Sequence, residues 1–218
     1  MSELQLTLDD REATVGVDTV IVAGWTGRDR AAVERHMAEL EAVGVPRPST
    51  SPVFYRVSAS RLTTASAIES TEASSGEVEP VLLRHDGALW VGAGSDHTDR
   101  EVEKYSVAVS KQLCDKPVAG HWWRYDDVAE HWDELVLRAW IDGDVLYQEG
   151  ALSNLMHPEG LSSRATPPLA DGTLMFCGTL AAIGGIRPAR EFRYELFDPV
   201  RDRAIRGRYE MQILPLVS

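Results

Sequence analysis

The chain is poor in cysteine and has no surplus of positive charge, and each shortage narrows its chemistry. Its 218 residues include only Cys114 and Cys177, too few for a disulfide framework and without the C-x-x-C spacing of a zinc site. Both are expected to be reduced thiols. Lys and Arg number 22 against 34 Asp and Glu, a formal net charge of −12. Binding that works by neutralising phosphate needs basic residues to displace counterions, so nucleic acid and anionic membrane surfaces fall to minor hypotheses. The longest uncharged run, Gly172 to Ile186, has 15 residues, short of the roughly 20 that cross a bilayer. The first ten residues, MSELQLTLDD, are acidic where a secretory leader is basic and then apolar. A cytoplasmic protein is expected. No internal repeat, P-loop, dinucleotide fingerprint or G-x-S-x-G elbow is present, so a serine hydrolase is unsupported.

What is present is an ordinary globular balance, 44% hydrophobic and 26% charged, enough for a substantial core. Three segments carry helical signals: Asp29–Val43, with Asp29 as a candidate N-cap, Glu101–Leu113, and Asp126–Leu135. Two stretches, VLLRHDGALWV and LVLRAWIDGDVLYQ, place Asp-Gly between apolar runs, the strongest short-range hairpin signal. A third, EFRYELFDPVRDRAIRGRYEMQIL, alternates around a Pro-containing turn. The Ser/Thr-rich stretch Thr63–Gly76 reads as a surface loop or hinge. Mostly strand with a few helices, the pattern excludes a Rossmann alternation and predicts an α+β fold on antiparallel sheet. A single domain over 1–218 is expected.

Several residues are candidates for chemistry. In Gly76-Glu77-Val78-Glu79 the two acids share one face of a strand. Like charges that close need a cation or strong solvation, so the pair reads either as a solvated strand entry or as part of a cation site. Asp96, in GSDHTDRE, follows a strand and precedes a helix; it reads as a third carboxylate ligand or as one of several helix caps, with Arg100 orienting it or a substrate anion. His97 beside it points away. Three carboxylates without cysteine suit a hard cation such as Mg²⁺ or Mn²⁺, a Lewis acid toward a carbonyl. His36 and Glu39, one helical turn apart, are a carboxylate-oriented base or an ordinary surface pair. Lys111 is a charge near a bound anion or a helix-end solvating group. Gly178 and Thr179 offer an amide and a hydroxyl to an anion, or form a tight turn. The tryptophans between Trp122 and Trp140 are expected in the core and at a subunit interface.

Taken in order, these motifs resemble the fumarylacetoacetate hydrolase family, in particular its small single-domain members, from about Gly24 to Leu214. AGWTGRD looks like the family's "vGxNY", RHMAEL its H-x-x-E lid helix displaced by about one turn, SGEVEPVLL its "ExExG" strand, and GSDHTDRE its "nDxSxRD". SKQLCDKP is similar to the segment with the family lysine, YQEGALSNLM to "qdgxtxxmi", and MFCGTLAAIGG to "ltGTPxGvG". A bacterial subfamily sharing SGE-x-E, GSDHTDRE and MFCGT is also suggested. The resemblance implies a β-rich mixed roll or sandwich with a few peripheral helices, one Mg²⁺ or Mn²⁺ per subunit, and a homodimer. It places Glu77, Glu79 and Asp96 on the metal, His36 and Glu39 on the catalytic lid within about residues 1–45, and Lys111, Arg100, Gly178 and Thr179 on substrate. The implied activity is on a 2-oxo acid or β-diketone: C–C hydrolysis, hydration, decarboxylation or isomerisation. The alternative is a metal- and carboxylate-binding homodimer without catalysis. Leu180, Ala182 and Glu101 depart from the family pattern.

Overall fold

The computed structural model describes residues 1–42, 47–48, 50–166 and 168–215; inside the first helix, the side chains of residues 32, 35, 36, 39, 40 and 42 are outside that set. In chain order the strands and helices are β1 (Ser2–Leu8), β2 (Arg11–Val17), β3 (Thr19–Gly24), α1 (Arg30–Ala42), β4 (Val53–Val57), β5 (Leu62–Thr63), β6 (Ala67–Ser70), β7 (Ser74–Ser75), β8 (Val78–His85), β9 (Ala88–Ser95), β10 (Thr98–Asp99), α2 (Arg100–Glu103), α3 (Val107–Leu113), β11 (Lys116–Pro117), β12 (His121–Arg124), β13 (Val136–Ile141), β14 (Val145–Ala151), α4 (Pro158–Ser162), β15 (Thr173–Phe176), β16 (Glu191–Asp198) and β17 (Arg203–Ile213).

An eight-stranded mixed sheet, order β2-β1-β12-β9-β8-β15-β3-β4, packs against a five-stranded one, order β14-β13-β16-β17-β6. Strand alternation explains how the larger sheet buries both faces. Ile21, Ala23, Leu82, Val91 and Met175 point toward Leu137, Phe192, Tyr194 and Tyr209 of the smaller sheet. Val20, Val22, Val81, Leu83, Leu174 and Phe176 point the other way, into a second core closed by Leu4, Leu6, Val15 and Val57. Since β1, β2 and β4 belong to the same sheet, it curls over its own rear face into a roll.

The Asp-Gly signals are hairpins. Asp86 and Gly87 have φ of 49° and 70°, the positive pair that a two-residue turn between β8 and β9 requires. Asp142 and Gly143, at 46° and 94°, turn β13 into β14. β16 and β17 pair antiparallel throughout.

Other segments differ from expectation. Glu101–Leu113 is two helices, because Asp99 caps Val102 N (2.9 Å) and Ser106 restarts the chain by capping Val109 N (3.3 Å). Asp126–Leu135 is not α-helical: it forms 3₁₀ turns over Tyr125–Asp127 and Ala129–Glu134, closed by bonds three residues apart, while His131 leaves helical geometry and meets Asp198 at 3.0 Å. Thr63–Gly76 is no hinge; it holds β6, which pairs parallel with β17, and buries Ser70, Ser74 and Ser75. Trp122, Trp123 and Trp132 are core residues of their own chain, so they are not subunit-interface surface. Trp140 alone of the four is half-buried, beneath the Arg193 guanidinium. Among the described residues no helix is long and apolar enough to cross a membrane.

Candidate metal centre

The β8–β9 hairpin builds the centre of the site. Val78 pairs with Ser95 and Glu79 with Gly94; one step beyond the ladder, Asp96 N donates to Glu77 O at 3.0 Å. Glu77 therefore faces Asp96 across the strands, and Glu79 lies one pleat further on the same face. One oxygen from each carboxylate falls within 4.8 Å of the others. Glu79 and Asp96 are buried, and the Glu77 side chain retains 18% exposure.

Three cations surround these acids. Arg100 reaches Glu77 at 3.3 Å, Glu103 at 2.9 Å and Ser75 Oγ at 2.7 Å. Lys111, in the last turn of α3, donates to Asp96 Oδ2. Lys116, fully buried, stands 3.3 Å from Asp96 Oδ1 and donates to the carbonyls of His97 (2.5 Å) and Cys114 (3.1 Å). Burial opposes ionisation of Asp96, but the two lysines hold its carboxyl below the usual range. The lysine ammonium of residue 111 is in turn held charged by Asp96 and Glu77 against its own burial. Glu79 differs. Burial and the neighbouring Asp96 push it well above the usual carboxylate range, and the Lys111 charge with the Gly178 amide at 2.7 Å only partly offsets them. Glu77 is raised by burial, with Arg100 opposing.

The donor set is one that a divalent cation fits. It consists of hard oxygens alone, and Asp96 Oδ1, fully shielded from solvent, makes no contact with a donor among the described residues beyond its ion pair with Lys116 at 3.3 Å. A buried carboxylate oxygen met by one ammonium keeps lone-pair capacity for a further electropositive partner. Glu77, Glu79 and Asp96 are the residues that would hold Mg²⁺ or Mn²⁺.

The other expected residues are distributed as follows. The Gly178 amide is engaged on Glu79, and the Thr179 hydroxyl donates to Val78 O at 2.8 Å; both stand beside β8. Gly178 has φ 100°, and a β-carbon there would meet Thr26 Oγ1 at 1.7 Å, so no other residue fits this turn. The side chains of His36 and Glu39 lie outside the described residues.

Sequence reasoning did not find Lys116, Gln148 or Tyr209. Tyr209, from β17, accepts or donates at 2.9 Å to both Ser95 Oγ and His97 Nδ1, while His97 Nε2 meets Ser74 Oγ at 2.9 Å. Ser95 and His97 flank Asp96 and by alternation occupy the opposite face, so this network grips the backbone around Asp96 from behind. Burial, with Lys116 and Arg100 nearby, depresses His97 from 6.5 to about 3. The unfolded chain therefore binds the extra proton between those values, and stability is lost as pH falls through that window, by about 1.4 kcal/mol per pH unit at most. Denaturant unfolding at pH 7 and pH 5 should show His97→Gln to be less acid-sensitive than wild type by roughly 2 kcal/mol. Equal sensitivity would place the acid-labile group elsewhere.

No curated protein matches the sequence. The family model described as "Protein of unknown function (DUF2848)" matches residues 23–209. Among solved structures, fumarylpyruvate hydrolase from Pseudomonas aeruginosa, in complex with Mn²⁺ and pyruvate, superposes with a TM-score of 0.71 at 16% identity, covering 98% of this chain and 97% of its own. Yeast ynq8, a fumarylacetoacetate hydrolase family protein, gives 0.66 at 15% identity, covering 92% and 95%. The 4-oxalocrotonate decarboxylase from Pseudomonas putida G7, complexed with magnesium and adipate, gives 0.60 at 14% identity, covering 91% and 78%. The chain belongs to the DUF2848 family, and its fold is that of the fumarylacetoacetate hydrolases.

Proposed function

We propose that the protein is a metal-dependent enzyme acting on a small 2-oxo acid or β-diketone, by C–C hydrolysis or a related hydration, decarboxylation or isomerisation. The observation that carries this reading is the convergence of Glu77, Glu79 and Asp96 on one buried point, ringed by Arg100, Lys111 and Lys116. Mn²⁺ with pyruvate and magnesium with adipate, named for two proteins of the same fold, supply the ligand class. A divalent cation held by the three carboxylates would provide Lewis-acid polarisation of a carbonyl.

In this reading the chain's own residues divide the work. Arg100 fixes Glu77 through its forked contacts. Lys111 meets the anionic end of the ligand: Asp96 is its hydrogen-bond partner, and the Tyr55 ring lies 5.8 Å from its ammonium. The Gly178–Thr179 turn borders the ligand while holding Glu79 in place. Both ring nitrogens of His97 are occupied; the family resemblance implies that the proton-accepting role belongs to His36, oriented by Glu39. A cytoplasmic homodimer belongs to the same reading.

Solvent-deuterium exchange into the methyl group of pyruvate, followed by NMR with and without Mn²⁺, tests it. Exchange that requires Mn²⁺ and falls about 10²–10⁴-fold in His36→Ala is the expected result. Mn²⁺ uptake without exchange of pyruvate or of other 2-oxo acids would replace the enzyme with the non-catalytic binding protein.

A further inference from the structure

Strand β14 departs from its alternation at one point. Ala139 pairs with Gln148, but its neighbour Trp140 pairs with Leu146, so Tyr147 is an extra residue in the ladder. Such a bulge turns the following side chain toward a face it would otherwise avoid. Tyr147 and Gln148 are consecutive, yet both are buried, at 1% exposure each.

The glutamine thus driven inside uses its amide on three partners, all bordering the acidic cluster. Its Oε1 accepts from Val78 N at 2.9 Å, the residue between Glu77 and Glu79. Its Nε2 donates to Thr179 Oγ1 at 2.8 Å and to Leu180 O at 2.6 Å. Thr179 in turn donates to Val78 O at 2.8 Å, and the adjacent Gly178 amide holds Glu79 Oε2. Val78 is therefore held at both its N–H and its C=O by one amide–hydroxyl pair, the amide buried and the hydroxyl half-buried. Tyr147 seats the far end of the same loop, accepting from Ile183 N through its carbonyl at 2.7 Å and lying beneath the Arg187 guanidinium.

Resting on the metal-site reading above, we propose that Gln148, presented by the β14 bulge, is a positioning residue that fixes the spacing of Glu77 and Glu79 and thereby sets both the affinity and the size selectivity of the cation site. It touches neither a metal ligand oxygen nor substrate; it acts through Val78 and through Thr179. Residues that orient metal ligands in this way typically change affinity 10–100-fold when replaced. Selectivity follows from rigidity: Mg²⁺ demands near-ideal geometry at short distance, whereas Ca²⁺ accepts longer and looser coordination. Slackening the brace weakens Mg²⁺ binding more than Ca²⁺ binding.

Calorimetric titration of the intact protein with Mn²⁺, Mg²⁺ and Ca²⁺ tests this. Gln148→Leu should lose at least 10-fold in Mn²⁺ affinity, and its preference for Mg²⁺ over Ca²⁺ should shrink several-fold. Gln148→Glu, which keeps the acceptor for Val78 N but loses both donors, should move the same way and serves if the leucine variant does not fold. Because Thr179 belongs to the same brace, Thr179→Val combined with either Gln148 variant should cost no more than the worse single change. Folded Gln148 variants with unchanged affinity and Mg²⁺/Ca²⁺ ratio, or losses that multiply with Thr179→Val, would overturn the brace. Absence of any divalent binding by wild type would instead overturn the metal-site reading beneath it.

Discussion

In Glu79→Gln, the metal-dependent rise of the melting temperature should disappear while the metal-free protein remains at least as stable as wild type. Burial disfavours the charged form of the Glu79 carboxyl, which has no cation within ion-pair distance among the described residues and accepts from the Gly178 amide. Without metal, the neutral amide of glutamine is close to the state that burial already favours, so little stability is lost. With metal, the cost is large, because an ionised oxygen ligand has been removed; affinity should fall on the order of 100-fold or more. Cation at a hundred times Kd stabilises wild type by about 2.7 kcal/mol, against about 0.4 kcal/mol once Kd rises to that concentration. Wild type should also release a proton on binding near neutral pH, since the ligand must be deprotonated; titrations in buffers of different ionisation enthalpy count it. A thermal shift and proton release that survive in Glu79→Gln would remove Glu79 from the ligand set.

The same amide substitution at Asp96 should have the opposite effect on the metal-free protein. Asp96 is fully buried between Lys111 and Lys116, and asparagine takes from Lys116 its ion-pair partner and leaves Lys111 only the charges of Glu77 and Glu103. Removing one partner from a buried ion pair costs about 3–5 kcal/mol, which for a chain of this size corresponds to a melting temperature lower by roughly 6–20 °C. The sign against pH agrees: Asp96 ionises more readily folded than unfolded, so its contribution is complete above the usual carboxylate range and fades below it. If Asp96→Asn melted with Glu79→Gln in metal-free buffer, the lysines would not be the countercharge described.

This contrast marks how far the sequence could be read. The hairpins were legible because Asp86-Gly87 and Asp142-Gly143 are residue pairs that accept positive φ cheaply. The acidic cluster was legible because Glu77 and Glu79 are spaced at the strand period and Asp96 follows the partner strand. Lys116 was not, since Cys114-Asp115-Lys116 has the composition of an exposed turn and only the fold carries its side chain under Asp96. Gln148 and Tyr209 were hidden for two reasons. Their partners at Val78, Ser95 and His97 lie 70 to 114 positions away, and for Gln148 the bulge breaks the very alternation from which facing is inferred. The single helix read over Glu101–Leu113 became two because Asp99 and Ser106 both cap, and local pattern does not say which cap wins.

The loop that carries Gly178 and Thr179 has one more consequence, for association rather than chemistry. β14 is the outer strand of the five-stranded sheet, and an outer strand offers its backbone to any other chain that can pair with it. Here the Ile183 amide already occupies the Tyr147 carbonyl at 2.7 Å, and the Leu180 side chain lies where a β-carbon on Gly150 would touch it at 3.1 Å. The edge is thus occupied by the protein's own loop, whose Arg187 guanidinium stands over the Tyr147 ring at 5.1 Å. Loosening that loop exposes strand backbone as well as disturbing the site, so damage to the centre and a tendency to aggregate are coupled through the same ten residues, 178–187.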